Sequence, residues 1–312
     1  MSLSLSRVSE QPSETRGDPR PSLGFSFWPP IVIGGLGVLA LMPRLTELWS
    51  IWMSDSLNSI GILLPLVSLW LGWRVLRSGK IENEPRSWAV LAAGAFLILA
   101  AVTLGSPLLD LFLHLPFPAH LVPTGVLVCM YVSGAVLFFL GPRALRKLMF
   151  PLALLLFLKP VPYFFTQLVD LPLQYAGART ALAFASSLGI PVSRDGANLY
   201  FFGNEYWAFI APQCNGLHGA VAMGYATLIA GYLFGLPKLW HSLYVAVGVL
   251  LAYGLNLVRL CATGLFYLGA HHYPPLGPYA EVVIDYVLGS ILFALAAAFL
   301  FQMPKIGIRR ET

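Results

Sequence analysis

Charge is scarce in this sequence: Asp, Glu, Lys and Arg together make up 11% of 312 residues, where a soluble globular domain carries roughly 25%. That shortage excludes cytoplasmic enzymes and nucleic-acid binders at once. Cysteine is nearly absent too. Cys129, Cys214 and Cys261 are the three in the chain, too few and too scattered for a disulfide framework or a zinc knuckle, so any chemistry rests on single residues. No HExxH, GxSG or GxGD pattern is present, which disfavours the intramembrane proteases built on them. Nor does the chain carry the internal repeat of secondary transporters. Hydrophobic residues, by contrast, make up 57% of the chain, with a mean hydropathy of +0.74. The composition is that of a polytopic membrane protein. Its formal charge of +5 and pI near 9.2 read as a topology signal, because excess Lys and Arg gather in cytoplasmic loops.

A spanning helix needs about 20 mostly apolar residues. Eight such runs lie near residues 26–43, 57–76, 88–112, 120–141, 148–165, 214–236, 239–268 and 281–303. The predicted fold is thus an all-α polytopic membrane protein of about eight transmembrane helices. Residues 1–24, rich in Ser, Pro and charge, cannot bury enough apolar surface to fold alone and read as a disordered cytoplasmic tail. A cleavable signal peptide would place its apolar stretch nearer the N-terminus. The transmembrane domain covers 25–304, and 305–312 form a basic cytoplasmic tail. With the N-terminus cytoplasmic, fourteen of the nineteen Lys and Arg residues fall on that side, among them Arg74, Arg77, Arg143, Arg146, Lys147 and Lys238. Eight spans then put both termini in the cytoplasm of a cell whose inner membrane holds the protein. The segment 166–213 becomes extracytoplasmic.

That outer segment has two parts. Its first, through Ile190, has Asp170 and Arg179 as its charges among small and apolar residues, and reads as an interfacial helix or a re-entrant segment. In the second, Asp195-Gly196 and Gly203-Asn204 are turn signals flanking short aromatic runs. They predict an extracytoplasmic β-hairpin before the sixth span. Tyr200, Tyr206 and Trp207 suit the headgroup layer, either as plain anchors or as a recognition surface.

Ionisable residues at the edge of a span are functional hypotheses by default. Cys214 opens the sixth span at its outer end. Arg259 lies in the outer half of the seventh, and Asp285 stands just inside the outer start of the eighth. Three consecutive helices therefore deliver a thiol, a guanidinium and a carboxylate to one leaflet. A cysteine at a helix N-terminus with an arginine nearby favours the nucleophilic thiolate. Arg259 cannot lose its proton and can partner that thiolate or donate to an oxyanion. Asn256, three residues earlier on roughly the same helix face, orients Arg259 or adds a donor. His218 follows Cys214 by four residues, while Gln213 and Asn215 flank it. Each residue also has a plainer account: Cys214 as a small packing residue, Arg259 paired with Asp285, His218 bonded to a neighbouring helix, His271 and His272 in a solvated turn. Cys129 and Cys261 read as packing residues.

Order and spacing together say more. The segment from Ser187 through Gly219, which contains APQCNGLHG, is followed by NLVRL, LGAHHYPP and DYVLG. This series resembles the exosortase and archaeosortase family of membrane transpeptidases over roughly residues 55–303. Cys214-Asn215-Gly216 matches that family's Cys, small residue, Gly element, with Asn where Ser is usual. Asn256 to Arg259 matches its Asn-x-x-Arg in full, and Asp285 to Gly289 has the spacing of its third element with Asp in place of the common His. The resemblance implies that Cys214, Arg259 and Asp285 are catalytic, with Asn256, His218, Gln213 and Asn215 supporting them. It implies cleavage of a C-terminal sorting signal of the PEP-CTERM type from secreted precursor proteins, with a thioacyl intermediate on Cys214. An acceptor, whether glycan, lipid or water, resolves that intermediate. No metal or organic cofactor is required. Tyr206 and Trp207 are candidate substrate-binding residues, through strand addition at the hairpin edge. The rival reading is a non-enzymatic membrane component of an exopolysaccharide export or biosynthesis system.

Overall fold

The computed structural model describes residues 28–54, 57–78, 87–106, 122–159, 163–203, 206–210, 214–272 and 287–308. Most of them are helical. In chain order the elements are α1 (Trp28–Ser54), a 3-10 turn (Asn58–Ile62) running into α2 (Leu63–Arg77), α3 (Trp88–Gly105), α4 (Thr124–Lys147) and the short α5 (Met149–Leu154). Then come α6 (Tyr163–Ser187), strands β1 (Val192–Asp195), β2 (Asn198–Phe201) and β3 (Tyr206–Phe209), and helices α7 (Leu217–Leu233), α8 (Lys238–His272) and α9 (Gly289–Ile308).

Among the described residues, five segments are long and apolar enough to cross a membrane: Val32–Ser54, Asn58–Arg77, Trp88–Gly105, Thr124–Lys147 and Lys238–Phe266. Two shorter apolar helices cover Leu217–Leu233 and Gly289–Met303. Leu39, Leu69, Phe96, Leu250 and Phe299 are more than half exposed. So large an apolar surface has no place in water, and acyl chains are its solvent. The chain is a multi-pass membrane protein.

The span expected over 148–165 is not one helix. α4 first breaks at Gly141, whose φ of 84° and ψ of 178° are open to glycine, and Pro142 follows without an N–H to continue the ladder. After α5 the chain tightens into a 3-10 turn at Leu155–Phe157. There the Leu158 carbonyl accepts a 2.8 Å hydrogen bond from Trp52 Nε1 of α1. Pro160 and Pro162 follow in the sequence, and residues preceding proline avoid helical angles. The helix that resumes at Tyr163 continues unbroken to Ser187, with Pro172 inside it. Part of the expected fifth span and the expected interfacial segment are therefore a single 25-residue helix.

The predicted hairpin is also corrected, to a three-stranded antiparallel sheet in the order β1-β2-β3. Asp195 pairs with Asn198 across a two-residue loop. Gly196 has a φ of +61° there, as the first position of a type II′ turn demands, and Arg194 Nη1 donates to its carbonyl at 2.8 Å. Phe202 and Gly203, at φ of 50° and 70°, turn the chain again into β3. One face of the sheet lies on α6. Leu199 and Phe201 pack there with Ala178, Ala185 and Ile210 in a buried cluster, the alanines letting the sheet come close.

Elsewhere glycine sets the distances between helices. A methyl group on Gly94 of α3 would stand 2.9 Å from the Gly134 carbonyl of α4, and one on Gly134 2.8 Å from the Gly94 carbonyl. Small residues allow such approach, and dispersion and backbone contact drive helix association where water is absent. The last three helices form their own core of Met223, Ala230, Tyr244, Ala252, Ala296 and Leu300. Tyr244 satisfies its buried hydroxyl on the Leu300 carbonyl at 2.8 Å.

Candidate functional site

The site is assembled where the chain enters α7. Asn215 is 2% exposed, so its amide must find partners inside the protein. Its Oδ1 accepts from the Leu217 N–H at 2.8 Å, satisfying one of the donors a helix start leaves open. Its Nδ2 donates to Asp170 Oδ1 of α6 at 2.7 Å. Gly216 caps the helix in the left-handed region, at φ +86°. A side chain there would meet Asn256 Nδ2 at 2.8 Å and Tyr253 at 3.1 Å. The Cys-Asn-Gly turn thus lies pressed against α8.

From α8, Asn256 Nδ2 donates to the Cys214 carbonyl at 2.9 Å. Its Oδ1 faces Arg259 Nη1 at 3.5 Å. One amide therefore ties the cysteine's backbone to the guanidinium. From α9, Gly289 closes the arrangement, since a methyl group on it would stand 3.5 Å from Arg259 Nε. Three elements far apart in the sequence converge on one end of the bundle.

Between α7, α8 and α9 lies a cavity of about 370 Å³. His218, Asn256, Arg259 and Ser290 give it a polar end, and residues such as Met223, Leu255 and Phe293 line the rest. Cys214 is not among the described residues lining it. The cysteine packs instead, half-buried, on the cluster beneath the sheet with Leu260 and Leu268. Arg259 and Cys214 are thus joined through Asn256, with the thiol on the sheet side and the guanidinium on the cavity side.

Helix length places this end of the bundle relative to the bilayer. Arg259 lies twenty-one residues after Lys238 on one continuous helix, about 31 Å at 1.5 Å per residue. That matches a hydrocarbon core of about 30 Å, so lysine and arginine stand one membrane thickness apart. Near Lys238, Phe150 of α5 stacks on Tyr232 at the end of α7, ring centroids 3.9 Å apart. The basic end of α4, with Arg143, Arg146 and Lys147, immediately precedes α5. These cations gather at the end of the bundle opposite Arg259.

Among the residues singled out from the sequence, the structure brings Cys214, Asn215, Asn256 and Arg259 into one network, and sets His218 in the adjoining cavity. Asp285 and Gln213 lie outside the described residues. Tyr206 and Trp207 stand on edge strand β3, paired in register with Phe201 and Tyr200, and their side chains lie outside the described residues. His271 and His272, read as a turn, continue α8. Sequence reasoning missed Asp170 and Ser290. Asp170 carried a signal, as the one carboxylate of α6, but its partner is forty-five positions away.

The fold and the site define a class: a multi-pass helical membrane protein whose polar residues meet at one membrane boundary, beneath a small sheet. The model of the transmembrane exosortase family matches residues 52–302, more than three quarters of the chain, and the protein belongs to that family. Comparison with curated proteins and with solved structures gives no match.

Proposed function

We propose that the protein is a membrane-embedded cysteine transpeptidase or protease. It removes the C-terminal sorting signal, a PEP-CTERM-like motif followed by a hydrophobic span, from secreted precursor proteins. The observation that carries this reading is the Asn256 amide, which bonds the Cys214 carbonyl and faces the Arg259 guanidinium, with Gly289 of the third family element against the same guanidinium. A shared network of this kind is what a nucleophile and an oxyanion donor need to act on one carbonyl.

In the proposed reaction the Cys214 sulfur turns from the sheet-side cluster toward Arg259, a rotation between staggered χ1 wells. The thiolate attacks the scissile carbonyl and forms a C–S bond. Arg259 donates to the oxyanion. The C–N bond breaks as the intermediate collapses, and the departing amine takes up the proton the thiol released. His218, whose imidazole lines the cavity beside Arg259 and can accept and give up a proton, carries that proton, with Asp285 orienting Arg259. An acceptor hydroxyl, amine or water then attacks the thioester, a C–O or C–N bond forms as the C–S bond breaks, and the acceptor's proton returns to the Cys214 sulfur. The site faces outward from the cytoplasmic membrane, both termini are cytoplasmic, and the substrate's own hydrophobic span docks in the bilayer beside the enzyme.

One observation favours the rival reading, a non-enzymatic component of polysaccharide export: the thiol packs in an apolar cluster, as a structural cysteine does. The two separate cleanly. A secreted protein bearing a PEP-CTERM-like tail is co-expressed with the wild type, Cys214→Ala or Asp285→Ala, and followed by immunoblot. The wild type shortens the precursor and Cys214→Ala does not. Processing by Cys214→Ala at the wild-type rate ends the enzymatic assignment of this residue.

A further inference from the structure

We propose that Asp170 is a positioning residue for Cys214, acting through Asn215; the inference rests on the reading of Cys214 as the nucleophile. An asparagine amide is nearly symmetric in shape, and either end of a buried one can face a given neighbour. Here the two ends meet opposite demands. The Leu217 N–H offers a proton and needs Oδ1. The Asp170 carboxylate is acceptor-only when ionised and needs Nδ2. Reversing the amide would set oxygen against oxygen on one side and N–H against N–H on the other. The carboxylate therefore selects the one orientation of Asn215 that caps α7.

That selection bears on the thiol because the turn has no slack. Asn256 holds the Cys214 carbonyl from one side at 2.9 Å. Gly216 sits so close to α8 that a methyl group would collide with Asn256. Asp170 holds Asn215 from the other side. The chain leaving Cys214 is thus gripped twice in succession, by α8 at the Cys214 carbonyl and by α6 at the Asn215 side chain. α6 also supplies Ala178 and Ala185 to the cluster on which the sulfur packs. The helix that grips the turn is also the floor beneath the thiol.

The test uses full-length protein in membranes, in a Cys129→Ala/Cys261→Ala background so that Cys214 is the sole thiol. The alkylation rate of Cys214 by a small maleimide is measured alongside precursor processing. Asp170→Ala changes the alkylation rate by about tenfold, the size of one lost buried hydrogen bond, and slows processing by at least as much. In an Asn215→Ser background, which removes the Nδ2 donor, the same Asp170→Ala change shifts alkylation by less than about twofold, because the route to Cys214 is already cut. Asp170→Asn keeps the shape and one acceptor but also offers a donor, so it loses the selection of amide orientation. It shifts alkylation where Asn215 is intact and not in the Asn215→Ser background, and it decides the matter if Asp170→Ala does not accumulate. An unchanged alkylation rate in both Asp170 variants overturns the proposal, as does an Asp170 effect of equal size with and without Asn215. Normal processing by Cys214→Ala defeats the enzymatic reading alone, since the alkylation coupling is read independently of activity.

Discussion

At the residue scale, Gly216 shows how little room the turn has. A left-handed backbone costs an L residue about 1–2 kcal/mol, and at this position the added methyl also strikes the Asn256 amide at 2.8 Å. Gly219, one turn on, has nothing within 4 Å of the methyl it would gain. Gly216→Ala is therefore expected to abolish precursor processing and lower the thermal midpoint in detergent, while Gly219→Ala leaves the midpoint near the wild type. Equal midpoints for the two variants would show that the turn is not strained against α8. Asn256 is the second such residue. Its replacement by Leu, similar in volume, leaves the half-buried Cys214 carbonyl without its donor, a loss of about 1–3 kcal/mol, and frees Arg259 from its neighbour. The expected result is a defect in processing at least as large as that of Arg259→Lys, which keeps the charge but not the planar fork.

At the element scale, two features carry consequences. The first is the crossing of α3 and α4, where Gly94 and Gly134 bring the helices together backbone against backbone. Gly94→Ala has to push against the Gly134 carbonyl and the Phe138 backbone at 2.9 Å, an overpacking that costs about 1–3 kcal/mol. The expected effect is a lower thermal midpoint with the Cys214 alkylation rate unchanged, because α3 and α4 lie outside the network around Cys214. The second is β3. The Ile210 N–H donates to the Ala197 carbonyl at 3.1 Å. Antiparallel alternation then turns the Ala208 N–H toward β2 and the Trp207 and Phe209 N–H groups toward the outer side of this edge strand. Strand addition by a substrate needs those outward donors. Phe209→Pro removes one without touching the β2 ladder, and is expected to reduce processing several-fold relative to Phe209→Ala, which keeps the N–H. The same rate in both would dismiss β3 as a docking edge. Deleting the hairpin outright is a poorer test, since Leu199 and Phe201 belong to the cluster under Cys214.

At the scale of the whole molecule, the organising quantity is the length of α8. Lys238 and Arg259 stand about one hydrocarbon thickness apart on one rigid helix, and the cations of α4 gather at the Lys238 end. If that end is cytoplasmic, as the positive-inside rule requires, the sheet and Cys214 face outward. In a background lacking native cysteines, Ser193→Cys on β1 should react with a membrane-impermeant maleimide in intact spheroplasts, and Ser78→Cys after α2 should react after lysis alone. The reverse pattern would turn the protein over and remove the site from secreted substrates.

Much of this was legible in the sequence, and the reason is physical. Hydrophobic run length and the distribution of Lys and Arg report directly on a bilayer of fixed thickness, so composition gave the membrane class and the apolar runs placed the helices α1 to α4 and α7 to α9. Short motifs, one at the start of α7 and one inside α8, singled out Cys214, Asn256 and Arg259. Where the signal depended on the path of the chain, it failed. A run as apolar as 148–165 looks like a span, yet its helix stops at Leu154 and a 3-10 turn leads to Leu158, whose carbonyl takes the Trp52 N–H. The hairpin acquired a third strand because register is settled by pairing, and each aromatic run reads alike on its own. Tertiary structure alone decided that Asp170 faces Asn215, and that Cys214 packs under the sheet while Arg259 opens on the cavity. Those contacts join residues tens of positions apart, and the orientation of a side chain about its helix leaves no trace in the order of the chain.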